Sequence, residues 1–421
     1  MPDSPESRWD AIVVGGGPAG STAAHLLARA GRRVLVLEKE AFPRFRIGES
    51  LLPFSTPIFQ KLGVLDEIKE RFQHKLGAYF TEEGKEADRK VVFADGFKRG
   101  YGLAFQVKRA ELDEILLEAA ARAGAEVRFG WRVTAFRREG AAVAGVDALD
   151  PDGTARALSA KIVVDATGRA AMGARSEGGI VPEHELRRGA LFTHFANVPR
   201  GENETPGDIR MVVFDRGWWW FIPFRDGTWS VGVVSDTIPS GATLEERFDR
   251  LVESNETVRN RLRDATRLIP VVSESDYSYR VRNLVGDGYV AIGDAAGFLD
   301  PIFSSGVFLA MATGEKAAET IDRVLDRREI VRSSDLRRYE RFARSGFQRF
   351  RKYVVGFYEP AFREIFYSKP PVRALYSSVT SILAGGVFAR SGLLRFWSNL
   401  FLFFAEREIR KARKAQPEAG A

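Results

Sequence analysis

Three observations predict an α/β chain in which a parallel βαβ unit is interleaved with an antiparallel sheet and followed by a helical region. An apolar run, Asp10 to Val14, feeds a glycine-rich turn, a helical stretch and a second apolar run ending at Glu38. Short alternating runs interrupt that order twice, and from about Ser333 the chain turns helical and rich in Arg and Phe. With 421 residues, 45% hydrophobic and 28% charged, there is material for one large core or two fused ones. The absence of cysteine and the scatter of the four histidines (His25, His74, His184, His194) leave no metal-ligand spacing, so metal catalysis is not expected. The net charge of +7 comes largely from helical stretches such as Arg337 to Lys352 and Arg407 to Lys414. These read as solvated faces, with an acidic partner or a membrane surface as alternatives, and no nucleic acid is expected. No uncharged apolar run reaches about eighteen residues, and Met1 to Asp10 lack the basic-then-apolar order of a secretion signal; both features predict a cytoplasmic protein.

The first unit carries Gly15-x-Gly17-Pro18-Ala19-Gly20 between a strand and a helix, followed by the strand Arg33 to Glu38. Gly15 permits a tight turn, Gly17 lets backbone amides approach a pyrophosphate, and Gly20 lets helix and strand pack closely, with the helix start facing the anion. Glu38 accepts from a ribose and repels a 2′-phosphate, so a Rossmann-type site for FAD or NAD is predicted. Two later runs favour FAD: Val163-Val-Asp165-Ala-Thr-Gly168-Arg169, and Tyr289 to Gly293-Asp294-Ala-Ala296, whose acid belongs beside a ribityl chain. A helix from about Val307 points its positive end at the flavin ring, and Arg109 opens a helix well placed to meet the cofactor. No second glycine fingerprint follows, so reducing equivalents are expected to arrive on flavin reduced by a separate flavin reductase.

After the helix ending near Ala123, the runs Glu126–Phe129, Trp131–Phe136, Ala142–Val146 and Ala155–Leu158 predict a meander before the chain returns to the flavin domain at Ile162. From Gly189 to Asp236, aromatic and β-branched alternation predicts an antiparallel sheet forming the floor of a substrate chamber. The expected organisation is a flavin-binding module over 1–332, interleaved with a substrate sheet over about 75–108 and 189–280, then a helical region over 333–421 with a break at Lys369-Pro-Pro371.

Four segments resemble the flavin-dependent halogenases, most closely the branch acting on phenolic and carrier-tethered substrates: Phe42 to Pro53 with its Gly-Glu-Ser, the lone Lys75 before Leu-Gly-Ala-Tyr-Phe80, Trp218-Trp-Trp220-Phe-Ile222-Pro223, and Gly293 to Gly306. The resemblance implies that FAD, as FADH2, and oxygen turn chloride or bromide into hypohalous acid, which travels to Lys75 and halogenates an electron-rich phenol or pyrrole type of ring, free or on an acidic carrier protein. It further implies a halide held by the amides of Ser305 and Gly306. Trp218, Trp220, Ile222 and Pro223 then separate flavin from substrate, and Arg46 to Pro53 form a flavin lid oriented by Glu49 and Ser50. Arg46, Ser50, Arg109, Asp294 and Gly306 join Gly15, Gly17, Ala19, Gly20 and Glu38 as expected cofactor contacts.

The sequence departs from that pattern at Gly297, where a small thiol is more usual, and at Phe308, where histidine is frequent. No acid matches the substrate-side glutamate of tryptophan halogenases, which argues against free tryptophan, and His194 is open to readings as a base or as a structural residue. The tail Gly392 to Phe404, followed by Glu406 to Lys414, is too short and charged to span a bilayer. It is expected to dock on its own domain, with a weak membrane-surface contact or a partner site as alternatives. The rival readings are an aromatic hydroxylase, an isoprenoid reductase and a non-enzymatic flavin-retaining binding protein.

Overall fold

Trp9–Val14 and Val34–Glu38 are buried at every position except Asp10, as strands covered on both faces must be. In this computed structural model, which describes residues 8–84, 88–201, 204–275, 277–368 and 372–415, they lie at the centre of a parallel sheet. Its strands run side by side in the order Tyr289–Ala291, Ala155–Asp165, Trp9–Val14, Val34–Glu38 and Glu126–Phe129. Helices Pro18–Arg29 and Gly306–Leu325 pack tightly against one another beside it. The close approach depends on Gly314, where a Cβ would stand 2.5 Å from Ala19 O.

One expectation is corrected here. Glu126–Phe129 does not begin the meander; it pairs in parallel with Val34–Glu38, from Leu35 opposite Glu126 to Glu38 opposite Phe129. The helix Arg109–Arg122 precedes it and supplies the crossover that a parallel neighbour requires. The meander starts at Arg132–Glu139 and continues through Ala142–Leu149 into Ala155–Asp165. That last strand serves two partners. Its first half pairs antiparallel with Ala142–Leu149, ending at Ser159 opposite Gly145, and its second half pairs in parallel with Trp9–Val14 from Ala160 opposite Trp9.

The second sheet is antiparallel apart from one parallel pair, in the order Thr266–Arg267, Gly189–Ala196, Trp229–Ser235, Gly217–Pro223, Ile209–Phe214, Gly77–Glu82 and Arg89–Val92. Gly217–Pro223 is buried throughout, and strand periodicity divides its side chains between two cores. Trp218, Trp220 and Ile222 enter the main core, while Trp219 and Phe221 pack with Phe248, Leu251 and Val258 of two covering helices. Burying one indole is worth on the order of 4 kcal/mol before entropy.

Helices Arg337–Phe357 and Gly392–Ala415 add Phe350, Tyr353, Phe357, Leu394, Phe401 and Leu402 to the same main core. The tail helix thus docks on its own protein through one face. Its other face leaves Leu393, Phe396, Phe403 and Phe404 exposed, in line with the exposed Arg407, Arg410, Lys411 and Lys414. No described helix is long and apolar enough to cross a membrane. The break read at Lys369 to Pro371 lies outside the described residues, as do Met1 to Ser7.

Candidate active site

The glycine loop is shaped by steric limits that the structure makes explicit. Gly15 adopts φ 107°, and a Cβ there would lie 2.4 Å from Ala166 O; one on Gly20 would lie 1.9 Å from Gly15 O. Gly17 differs: among the described residues only Arg44 Nη2 comes within 4 Å of its added Cβ, so its face opens toward the space above the loop. Ala19 is buried against Gly293 and Gly314 and acts through its small size. Glu38 is buried and accepts from Gly16 N at 2.8 Å and Glu40 N at 2.9 Å. Arg44 stands 3.7 Å from Glu38 and donates to the fully buried Asp113 at 3.0 Å, which also takes two bonds from Arg109. These two arginines bring positive charge to the rim of the loop.

Asp294 follows the strand Tyr289–Ala291, and its carboxylate forms no hydrogen bond among the described residues, although its backbone O accepts from Tyr279. Burial pushes it up to about 6 against the opposing pull of Arg109 and Arg169. A ribityl hydroxyl would satisfy that carboxylate. Ser305 is buried and starts the Gly306–Leu325 helix, and an added Cβ on Gly306 would meet no described residue within 4 Å. The helix therefore directs its free amides and positive end into open space. The open glycine face, the unpaired acid and this helix start fit FAD. Arg46 is 43% exposed and pairs with Glu40.

Lys75 ends the short strand Gln73–Lys75, opposite Ala104, and is 1% exposed. Its Nζ donates to Ser50 Oγ at 2.8 Å and Leu51 O at 3.0 Å, and sits 5.2 Å from the Phe93 ring centre. Burial pushes the ammonium down to about 7, against the raising influence of Asp208. A cavity of about 20 Å³ adjoins it, walled on one side by Lys75, Phe80 and Phe93 and on another by Ile302, Phe303 and Ser304. That volume admits one water-sized molecule. Ser304, next to the helix start, holds the left-handed φ of 54°. The segment read as a lid is pinned: Val107 N donates to Glu49 O at 2.7 Å and Leu51 N to Phe105 O at 2.9 Å.

Trp218 and Trp220 share one strand face with ring centres 5.7 Å apart. Trp220 Nε1 donates to Ser230 Oγ at 3.1 Å, and Trp220 lies over Gly232, where a Cβ would come within 2.3 Å of its ring. Ile222 and Pro223 are buried farther along the same strand. His194 meets Glu49 Oε1 at 2.9 Å between Phe45 and Phe224, which gives it a structural partner; the buried Glu49 Oε2 has none. Phe308 fills a buried site against Phe54 and Phe388.

The sequence matches the family described as tryptophan halogenase over residues 10–101 and 81–367. The chain belongs to that family. It is 32% identical over 387 residues to the 1H-pyrrole-2-carbonyl-[peptidyl-carrier protein] chlorinase of Pseudomonas fluorescens, covering 83% of each chain. It is 35% identical over 368 residues to the tryptophan 2-halogenase of Chondromyces crocatus, covering 83% of this chain and 67% of that one. The solved flavin-dependent brominase Bmp2 superposes with a TM-score of 0.85 at 27% identity, covering 96% of this chain and 100% of that one. The protein is thus a flavin-dependent halogenase with FAD as cofactor and a halide as substrate.

For a halogenase, the structure adds residues that the sequence reading passed over. Arg44 and Asp113 form the charged rim beside Glu38, Arg169 faces Asp294, and Tyr358 reaches Trp218 from the carboxy-terminal region. The motif Val163 to Arg169 had marked Arg169 without a role. Tyr358 meets Trp218 across 140 residues, a contact that no local pattern announces.

Proposed function

We propose that this halogenase makes hypohalous acid at the Ser305–Gly306 helix start and uses Lys75 to deliver the halogen to an electron-rich ring. The observation that carries the reading is the small cavity joining Lys75 to Ile302, Phe303 and Ser304, immediately before Ser305. Bound FAD, reduced and exposed to oxygen, supplies the oxidation of halide; the protein supplies place and passage. The amides opening the Gly306–Leu325 helix offer a chloride or bromide positive potential without a metal. The cavity marks the line along which hypohalous acid would pass, with the lining side chains giving way, to an amine that is about half neutral at pH 7. There the nitrogen either donates a hydrogen bond to the oxidant or takes its halogen, forming an N–halogen bond as oxygen and two hydrogens leave as water. The paired indoles of Trp218 and Trp220 close the direct path between flavin and substrate.

The substrate class we infer is a phenol or pyrrole type of ring, on a carrier protein in keeping with the carrier-bound pyrrole named for the Pseudomonas relative. The exposed aromatic and basic stripe of the tail helix is a surface suited to an acidic carrier. Reduced flavin comes from a separate reductase, and the enzyme works in the cytoplasm.

The test is Lys75→Ala and Lys75→Arg, assayed with FAD, a flavin reductase, NADH, oxygen and bromide on free and carrier-bound phenols and pyrroles. Both variants should keep FAD binding and lose halogenated product, since a guanidinium stays protonated. Product from Lys75→Ala at the parent rate and position would remove Lys75 from the mechanism. Rapid NADH oxidation by the protein alone would remove the separate reductase.

A further inference from the structure

The turn that walls the Lys75 cavity and the indole of Trp218 are tied to the same carboxylate. Asp300 is fully buried, and its Oδ1 accepts from Ile302 N at 3.0 Å, capping the turn Pro301–Phe303. Its Oδ2 accepts from the Tyr358 hydroxyl at 2.7 Å, and the same hydroxyl oxygen accepts from Trp218 Nε1 at 2.9 Å. Trp218 is 3% exposed, so water does not compete for its indole N–H. Tyr358 directly follows the long helix Arg337–Phe357, and the Arg188 guanidinium lies 3.8 Å from its ring centre, fixing the phenol from the other side. The turn ends in Ser304, a left-handed non-glycine residue that the cap and the Ser304 N to Pro301 O bond of 2.8 Å hold in place.

We propose that Asp300 and Tyr358 are positioning residues: together they lock the Trp218 ring across the flavin face and couple its position to the turn that shapes the passage to Lys75. The chain is directional. A carboxylate has acceptors for both Ile302 N–H and Tyr358 O–H, and a phenol that donates to it is left with its lone pairs facing the indole N–H. Neither leucine nor phenylalanine at 358 would orient Trp218, and an amide at 300 would keep one of the two acceptors. The carboxy-terminal helices thereby complete the site through one side chain. The consequence for chemistry rests on the barrier reading of Trp218; the relay itself does not.

Indole N–H exchange, measured by NMR on tryptophan-labelled protein without turnover, reads the relay directly. Trp218→Phe assigns the resonance, and Trp9, Trp131 and Trp397 serve as internal controls. In Tyr358→Phe, which keeps the ring, Trp218 N–H exchange should rise about tenfold while the controls stay unchanged. Asp300→Asn should accelerate the same proton although residue 300 does not touch the indole. Parent-like exchange at Trp218 in Tyr358→Phe would overturn the relay, and parent-like exchange in Asp300→Asn would remove the carboxylate from it. Hydrogen peroxide released per NADH consumed, measured with a flavin reductase and bromide, should rise in both variants. Faster exchange with an unchanged peroxide ratio would leave the relay standing and overturn the barrier reading of Trp218.

Discussion

Ser50 Oγ accepts a hydrogen bond from Lys75 Nζ at 2.8 Å, so the end of the Gly-Glu-Ser segment and the Lys75 amine form one buried unit. Both Ser50 and Leu51 O present acceptors, which favour the ammonium, whereas burial favours the amine and prevails. Removing an acceptor therefore lowers the pKa further. Product formation should rise with pH through about 7 and level off, and Ser50→Ala should move that midpoint to lower pH. Rate profiles paired with carbon NMR of the lysine side chain check both statements; a midpoint shifted upward in Ser50→Ala would refute the assignment.

Lys75 also links stability to pH. With a folded pKa of about 7 against an ordinary 10.5, the unfolded chain binds a proton between those values that the folded chain lacks, so stability rises with pH across that window. Below it, the full cost of burying the charge is present. Lys75→Met should accordingly raise Tm relative to the parent most below pH 7, with the gain shrinking toward pH 10. Thermal melts across that range that show a constant difference would place the lysine's charge in solvent.

Two glycines of the nucleotide loop should fail in different ways. Gly17→Val points into open space beside Arg44 and should fold normally while losing FAD, whereas Gly20→Ala forces a Cβ into Gly15 O and should lower stability as well as FAD content. Flavin absorbance and melting of each variant separate the cases. Full FAD content in a folded Gly17→Val protein would show that the pyrophosphate lies elsewhere.

Gly232 makes room for the Trp220 indole. Gly232→Ala places a methyl 2.3 Å from the Trp220 ring and 2.5 Å from Phe192 Cβ, between two strands that have no slack. A loss of about 1–3 kcal/mol is expected by urea unfolding, with altered near-ultraviolet dichroism from the displaced indole. An unchanged unfolding midpoint would mean that Trp220 has an alternative seat.

What the sequence disclosed was local. The strand, glycine turn and Glu38 announce the nucleotide site because their roles are set by neighbours within a few tens of residues, and Trp218 and Trp220 share a face by strand periodicity alone. Glu126–Phe129 was misplaced because its alternation is the same whether its partner lies beside it in sequence or, as here, at Val34–Glu38. The burial of Lys75 was equally hidden: a three-residue strand has too little pattern to show which side faces inward, and Leu52, Phe93 and Leu383 converge on its cavity from distant segments. Nothing local separates Arg44 from Arg46 either, yet Arg44 reaches Glu38 and Asp113 while Arg46 pairs with Glu40 at a more exposed position.

The strand Ala155–Asp165, bound on one half to the meander and on the other to Trp9–Val14, makes autonomous excision of either part impractical. A break in it would strip hydrogen-bond partners from two sheets at once. The meander and the nucleotide-binding sheet should therefore open as one cooperative unit, with amide protons of Gly145 and Val163 reporting the same opening free energy in native-state exchange. A recombination breakpoint placed inside this strand would yield a chimera with neither half folded, whereas one in the exposed turn at Asp152–Gly153 would leave both pairings intact.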